Sequence, residues 1–183
     1  MVYIFMEKIK VHDKYFEPYI KHEKILEAVN NVAKKIMEDY KDKNPLFVSV
    51  LNGSFMFSSD LFKAYDYLAE ICFIKLSSYH GTQSTEEVKT LIGLDEDVEG
   101  RDIIILEDII DTGITVSNLV EDLKKYNPSS VKIATLLLKP KAMKTDIVPD
   151  YVGIEIPNDF IVGYGLDYDG LGRNLKDIYK IVD

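Results

Sequence analysis

Three carboxylates and a threonine–glycine turn follow a strongly aliphatic run at residues 103–106. The acids are Glu107, Asp108 and Asp111, and residues 112–115 complete the turn with the sequence Thr-Gly-Ile-Thr. Such a turn before a helix points several backbone N–H groups at one place, and the helix dipole adds positive potential there. A phosphate group suits that place, while carboxylate oxygens suit sugar hydroxyls or Mg²⁺. The pattern therefore indicates a phosphorylated ribose bound together with a metal ion.

Asp111 is unusual inside this turn because a carboxylate repels a bound phosphate. One explanation is that its side chain points away, toward a second group that needs a proton acceptor. The alternative is an ordinary strand-to-helix turn whose acids and threonines cap the helix, since Asp and Thr are common N-cap residues. The residue types alone leave both interpretations open.

The elements that must position these residues can be read from the apolar pattern. The run at 103–106 predicts a strand buried on both faces, as in the centre of a parallel sheet. Apolar residues at helical spacing predict a helix after the turn and another over about 22–40. Further strands are predicted at 46–51, 70–76 and 131–138. The alternation predicts an α/β fold in which helices flank a parallel sheet, with 1–183 as one domain and its core at about 22–145.

Composition excludes several classes of function. A net charge of −9 argues against nucleic acid as a partner, because that binding requires neutralisation of many phosphates. Signal-peptide features and an apolar run of membrane-spanning length are missing from the sequence, so we expect no membrane association and a cytoplasmic location. Arg101 and Arg173 are the only arginines, which leaves two candidates for bidentate phosphate contact.

The stretch 103–115 resembles the phosphoribosyl-pyrophosphate (PRPP) binding motif of type I phosphoribosyltransferases. The shared features are an aliphatic strand, Glu-Asp, two aliphatic residues and Asp-Thr-Gly-x-Thr. Three further segments resemble the hypoxanthine–guanine branch of that family, in the same order. They are the Leu-Asn-Gly turn at 51–53, the Ser-Tyr pair at 78–79 and the aromatic, glycine-rich segment at 150–174. The resemblance spans about residues 46 to 176.

This resemblance implies the type I phosphoribosyltransferase fold, with a small hood subdomain made from about 146–183 and part of 1–20. It implies 6-oxopurine salvage, in which the 5-phosphoribosyl group of PRPP is transferred to N9 of hypoxanthine or guanine. The products are IMP or GMP and pyrophosphate, Mg²⁺ is required, and a homodimer or homotetramer is expected. Preference among hypoxanthine, guanine and xanthine stays open.

The resemblance also implies a role for individual residues. Glu107 and Asp108 bind the ribose and, with Asp167, the metal. The 5′-phosphate is bound by Asp111, Thr112, Gly113, Ile114 and Thr115, and Asp111 is also the catalytic residue. The purine is bound by Lys139, Phe160, Ile161 and Asp167, with Lys139 donating to the 6-oxo group. Pyrophosphate is bound by Asn52, Gly53 and Arg173, and Ser78 and Tyr79 belong to a lid over the site.

Asn52 departs from the family pattern, because several relatives carry a lysine at that position. Contact with pyrophosphate here must then come from backbone amides or from the side-chain amide. The resemblance further implies a cis peptide bond before the glycine, at Asn52–Gly53.

Three other classes of protein fit the sequence less well than an enzyme does. A PRPP-sensing regulator of transcription is expected to carry a DNA-binding module or a basic face, and this sequence shows neither. A phosphorelay receiver domain has no use for the Thr-Gly-x-Thr turn. A dinucleotide-binding fold is disfavoured because no G-x-G-x-x-G follows a strand.

Overall fold

Two β-sheets and three α-helices make up the computed structural model, which describes residues 8–78, 88–92 and 96–182. In chain order the elements of these residues are β1 (Ile9–Val11), β2 (Lys14–Ile20), α1 (His22–Asp39), β3 (Leu46–Leu51), α2 (Phe55–Ala64), β4 (Glu70–Ser78), β5 (Val88–Ile92), β6 (Asp102–Ile110), α3 (Ile114–Lys124), β7 (Ser130–Leu138), a 3₁₀ turn (Pro140–Ala142), β8 (Tyr151–Glu155), β9 (Ile161–Val162) and β10 (Ile178–Val182).

The larger sheet has the strand order β5-β4-β3-β6-β7-β8. Strands β4, β3, β6, β7 and β8 run parallel, and β5 pairs antiparallel with β4 at one edge. Strand β4 lies on one side of β3, and β6, which comes later in the chain, lies on the other side of β3. Loops at the carboxyl ends of β3 and β6 therefore diverge and leave a crevice, which is where open α/β sheets bind ligands.

Helices cover both faces of this sheet, as the sequence predicts. Helices α1 and α2 pack on one face, and the buried side chains of α1 recur at helical spacing from Ile25 to Ile36. Helix α3 packs on the other face through Val116, Leu119, Val120 and Leu123. Within the described ranges, no helix is long and apolar enough to cross a membrane.

A second, smaller sheet with the order β1-β2-β10-β9 joins the two ends of the described chain. This sheet is antiparallel throughout and forms the hood. The sequence-based hood boundary at about 146 differs from the structure, because β8 is the edge strand of the larger sheet. Tyr151 explains the difference, since its buried ring packs in the core beside α1 and its hydroxyl donates to Asp39 at the end of that helix.

Candidate active site

The acidic pair lies inside β6 rather than after it, because the strand continues to Ile110. Glu107 and Asp108 are only 7% and 9% exposed, and no ion pair to either carboxylate is present in the described part of the chain. Desolvation raises the pKa of Asp108 to about 6, although the charge of Arg173 acts in the opposite direction. Desolvation, together with the charge of Asp108, also raises the pKa of Glu107. The pair therefore places four carboxylate oxygens together at a buried position where ionisation is unfavourable.

Two adjoining cavities open at the carboxyl ends of β3 and β6. The larger, of about 270 Å³, is lined by residues that include Gly53, Asp108 and Arg173. The smaller, of about 120 Å³, is lined by residues that include Asp111, Thr112 and Gly113. Glu107, Ile109 and Thr115 line both cavities. The acidic pair and the Thr-Gly turn, which are neighbours in the sequence, therefore face two connected compartments of one site.

Helix α3 begins at the smaller cavity. Its N-cap residue is Gly113, whose φ of +79° would disfavour a side chain and which has none with which to cap the helix. The first-turn N–H groups of a helix have no intrahelical acceptor. In α3 the N–H of Ile114 donates to Thr112 Oγ1 in a long hydrogen bond of 3.4 Å, and the next N–H groups of the turn are available to a ligand. Together with the helix dipole, they make the smaller cavity an anion site of phosphate size.

Asp111 and Lys139 form an ion pair across the ends of two neighbouring strands. Asp111 follows β6 and Lys139 follows β7, and Lys139 Nζ donates to Asp111 Oδ2 at 2.9 Å. Lys139 is 7% exposed, whereas the carboxylate side chain is about half-exposed. The carboxylate therefore remains accessible from the cavity while its second oxygen is held by the lysine.

Gly53, in the turn after β3, forms the other wall of the larger cavity. A Cβ atom at Gly53 would overlap the carboxylate of Asp108, so this position requires glycine for close approach. The cis peptide bond joins Leu51 and Asn52, so the expected position at Asn52–Gly53 is wrong by one residue. The close contact with Asp108 is by itself enough to explain why residue 53 is glycine. Asn52 itself is exposed and is not among the residues that line the cavity.

Arg173 reaches this cavity from the hood. Its Nη1 donates to the carbonyl oxygen of Gly165 at 2.6 Å, and its Nη2 pairs with Asp167 Oδ1 at 2.6 Å. Asp167 Oδ2 in turn accepts the backbone N–H of Gly170. The other arginine of the chain, Arg101, pairs with Glu70 at the opposite edge of the sheet, where β4 and β6 begin. Arg173 is thus the arginine available for an anion in the larger cavity.

Three residues of the hood were predicted to bind the purine, and they differ in exposure: Phe160 is exposed, Ile161 is buried and Asp167, which pairs with Arg173, is half-buried. Phe160 is 46% exposed, and its ring meets Tyr168 edge-on at 5.6 Å between centroids and lies 6.1 Å from Phe16. Ile161 is buried in β9, where it pairs with Lys180 of β10. The exposed aromatic ring is free to stack on a flat ligand. Ser78 ends β4, and its side chain and the whole of Tyr79 lie outside the described residues.

The donor set suits a hard divalent cation. Glu107 and Asp108 supply carboxylate oxygens, and Asp167 is connected to the larger cavity through its ion pair with Arg173. The described residues contain no cluster of three or more acidic, histidine or cysteine side chains that could hold a metal unaided. Mg²⁺ binds through one or two carboxylates plus substrate phosphates and water, so the arrangement fits Mg²⁺ delivered with a phosphorylated ligand.

The contact between Gly165 of the hood and Gly53 of the turn after β3 was not predicted from the sequence. A Cβ atom at Gly165 would overlap the carbonyl oxygen of Gly53, and Gly165 has a φ of +98°. The signal that was available is the pair of glycines around Tyr164, which marks a backbone close approach.

Comparison with known proteins gives one consistent result. A sequence model of the family described as phosphoribosyl transferase domain matches residues 17–169. The chain is 46% identical over 160 residues to the hypoxanthine-guanine phosphoribosyltransferase of Bacillus subtilis, covering 87% of this chain and 89% of that protein. It is 49% identical over 154 residues to the enzyme of the same name from Streptococcus agalactiae, covering 84% and 86% of the two chains.

Solved structures agree with the sequence matches. The crystal structure of a hypoxanthine-guanine phosphoribosyltransferase from Bacillus anthracis superposes with a TM-score of 0.87 at 38% identity, covering 91% of this chain and 98% of that chain. A hypoxanthine phosphoribosyl transferase from Trypanosoma cruzi superposes with a TM-score of 0.86 at 34% identity, covering 95% of each chain.

Proposed function

Because this chain belongs to the phosphoribosyl transferase family, we propose that it is a 6-oxopurine phosphoribosyltransferase of the hypoxanthine–guanine type. It transfers the 5-phosphoribosyl group of PRPP to N9 of hypoxanthine or guanine and gives IMP or GMP and pyrophosphate. The observation that carries this proposal is the meeting of an acidic pair, an uncapped helix start and an arginine in adjoining cavities.

Different parts of the site bind the phosphate, ribose, pyrophosphate and purine groups of the substrates. The 5′-phosphate of PRPP binds the backbone amides of residues 111–115 in the smaller cavity, and the ribose hydroxyls bind the carboxylates of Glu107 and Asp108. Pyrophosphate lies in the larger cavity between Gly53 and Arg173. The purine stacks on Phe160, and its 6-oxo group accepts a hydrogen bond from Lys139.

The reaction replaces one bond at C1′ of the ribose by another. As the bond to pyrophosphate breaks, positive charge develops on the sugar ring, as in glycoside hydrolysis. The Arg173 guanidinium stabilises the negative charge on the departing group. N9 of the purine forms the new bond, and the proton that the base loses at N7 passes to the free oxygen of the Asp111 carboxylate.

Mg²⁺ is part of the proposal, with Glu107, Asp108 and Asp167 as the residues that hold it. When bound, the ion supplies electrostatic stabilisation of the phosphate oxygens. Burial raises the pKa values of the acidic pair, and a nearby cation would favour their ionised form, which supports this assignment.

The function is tested by incubating the protein with PRPP and Mg²⁺ and with hypoxanthine, guanine, xanthine or adenine in turn. We expect nucleotide and pyrophosphate in equal amounts with 6-oxopurines and little product with adenine, whose 6-amino group cannot accept a hydrogen bond from an ammonium. Failure of all four bases to give pyrophosphate would contradict the proposal.

Lys139→Ala tests the purine contact. We expect KM for hypoxanthine to rise about tenfold to a hundredfold, which corresponds to the loss of one hydrogen bond from a charged donor. KM for PRPP should remain close to that of the wild type. The control is Lys141→Ala, which removes an exposed lysine two residues away. Equal losses for both substrates would show that the lysine is structural.

Gly53→Ala tests the wall of the pyrophosphate compartment. The added methyl group displaces the Asp108 carboxylate, so we expect kcat/KM for PRPP to fall about tenfold to a hundredfold. Gly153→Ala is the matched control, because its methyl group meets the backbone of Leu136 in the sheet instead. The control should lower the melting temperature and leave KM for PRPP unchanged, and a similar KM in both variants would refute the close-approach argument.

Two further properties complete the proposal. We expect a homodimer or homotetramer, which light scattering coupled to size-exclusion chromatography measures directly. We expect the protein to act in the cytoplasm, where fractionation of the source cells would find it.

A further inference from the structure

Tyr164 stands out among the described residues that the proposed mechanism does not use. It is the central residue of a turn in which Gly163, Tyr164 and Gly165 all have positive φ, at +105°, +49° and +98°. Tyr164 is also only 2% exposed, and it belongs to the large core cluster together with side chains of α1 and α2. A bulky residue keeps such a backbone conformation only where its surroundings hold it there.

Two hydrogen bonds hold Tyr164 in place. Its backbone N–H donates to the carbonyl oxygen of Leu175 at 2.7 Å, within the hood. Its hydroxyl donates to Asp60 Oδ2 at 2.6 Å, and Asp60 is a half-buried residue of α2. Burial opposes ionisation of Asp60, but hydrogen bonds from Lys63 and Tyr164 outweigh it and lower the pKa of this carboxyl. The tyrosine therefore donates to a carboxylate, which makes the bond a strong one.

The residue next to Tyr164 belongs to the pyrophosphate compartment. Gly165 lies against the carbonyl oxygen of Gly53 so closely that a Cβ atom would overlap it. The backbone N–H of Gly165 donates to the carbonyl oxygen of Arg173 at 3.0 Å, and the carbonyl of Gly165 accepts Arg173 Nη1. Whatever fixes Gly165 therefore fixes the guanidinium of Arg173 relative to Gly53.

Helix α2 connects Asp60 to Gly53, the other wall of the pyrophosphate compartment. The Asn52–Gly53 turn leads directly into α2, which begins at Phe55 and carries Asp60. The bond between Tyr164 and Asp60 thus joins the element that presents Gly53 to the element that presents Arg173. We propose that Tyr164 is a positioning residue, which sets the separation of the two walls of the pyrophosphate compartment through Asp60. This inference rests on the proposed function for the identity of the ligand.

The chain contains a matched control for this proposal. Tyr151 is also buried, at 4% exposed, belongs to the same core cluster and donates its hydroxyl to Asp39 at the same 2.6 Å. That bond joins β8 to the end of α1 and involves no residue that lines either cavity. Tyr151→Phe therefore removes the same kind of bond from the fold without touching the site.

The experiment compares Tyr164→Phe with Tyr151→Phe in the full chain. Both should lower the melting temperature to a similar degree. Only Tyr164→Phe should raise KM for PRPP and, in the reverse reaction with IMP, KM for pyrophosphate, by about tenfold to a hundredfold. KM for IMP, which lacks the pyrophosphate group, should stay unchanged. Calorimetric titration of pyrophosphate with Mg²⁺ into the protein without nucleotide, where no reaction can occur, should show the same loss of affinity.

Variants of Asp60 keep the test decisive if Tyr164→Phe folds poorly. Asp60→Asn retains an acceptor oxygen and should keep KM for pyrophosphate near the wild-type value, whereas Asp60→Ala should reproduce the defect of Tyr164→Phe. The double variant Asp60→Ala/Tyr164→Phe should have the same KM for pyrophosphate as Asp60→Ala, because the bond from Tyr164 is already absent in that single variant.

The two proposals fail in different ways. An active wild type in which Tyr164→Phe and Tyr151→Phe have the same KM for pyrophosphate would overturn the positioning role alone. A wild type that forms no nucleotide with any purine would overturn the proposed function instead.

Discussion

Asp111→Asn should lower kcat by about a thousandfold, within the range of 10²–10⁴ that general acid–base catalysis supplies. The amide has the shape of the carboxylate but cannot take the N7 proton. KM for PRPP should change little, because the backbone amides of residues 111–115 and the ribose carboxylates remain in place. Steady-state rates with hypoxanthine, measured against both substrates, give the two parameters separately.

The control for this variant is Asp146→Asn, which removes an exposed carboxylate outside the site and should leave kcat unchanged. The ion pair with Lys139 supplies a second comparison. If Asp111 served only to hold the lysine, Asp111→Asn and Lys139→Ala would have the same kinetic signature, a raised KM for the purine. A loss concentrated in kcat for Asp111→Asn alone supports the proton-accepting role, and an unchanged kcat would exclude it.

The core of the fold could be predicted from the sequence because its elements have strong local patterns. Strand β3 at Leu46–Leu51 coincides with the apolar run at 46–51, and α1 ends at Asp39, one residue before the expected end. Strand β6 extends to Ile110, beyond the predicted end at residue 106, because the buried Glu107 and Asp108 continue it. Carboxylates are rarely buried, so the pattern of residue types could not show that these two are.

The hood could not be delimited in the same way, since its sheet is built from pairings between opposite ends of the chain. Strand β2 pairs with β10 across more than 150 residues, as Tyr15 and Val182 illustrate. No local period in either segment specifies that partner. Strand β8 lies outside the hood, because it pairs with β7, the preceding strand of the larger sheet, across the loop that begins with Lys139.

The site shows a similar division between local and non-local information. The Thr-Gly turn and the acids are contiguous in the sequence, and their cavities adjoin in the structure. The orientation of Arg173 depends instead on its hydrogen bond to the carbonyl of Gly165. The position of Gly165 depends in turn on its close contact with Gly53, more than 100 residues earlier in the chain. Such backbone-to-backbone contacts leave no trace in residue type beyond the glycines themselves.

Removal of divalent cations should abolish activity, by at least about a thousandfold, because a metal ion contributes several kcal/mol of stabilisation to developing negative charge. Glu107 and Asp108 are buried next to each other, and no ion pair to either carboxylate is present among the described residues, so we expect the proposed metal to offset the cost of ionising them when it arrives with PRPP. Excess chelator should therefore stop formation of pyrophosphate, and added Mg²⁺ should restore it where an equal ionic strength of NaCl does not.

Two measurements separate loss of the metal from loss of the fold. The melting temperature should be the same with and without chelator, since the hydrophobic clusters on both faces of the sheet do not depend on a cation. Asp108→Asn should raise the Mg²⁺ concentration needed for half-maximal rate, whereas Asp146→Asn should leave it unchanged. Full activity in excess chelator would show that Arg173 and the backbone amides carry the charge of pyrophosphate without a metal, and the acidic pair would then need a different role.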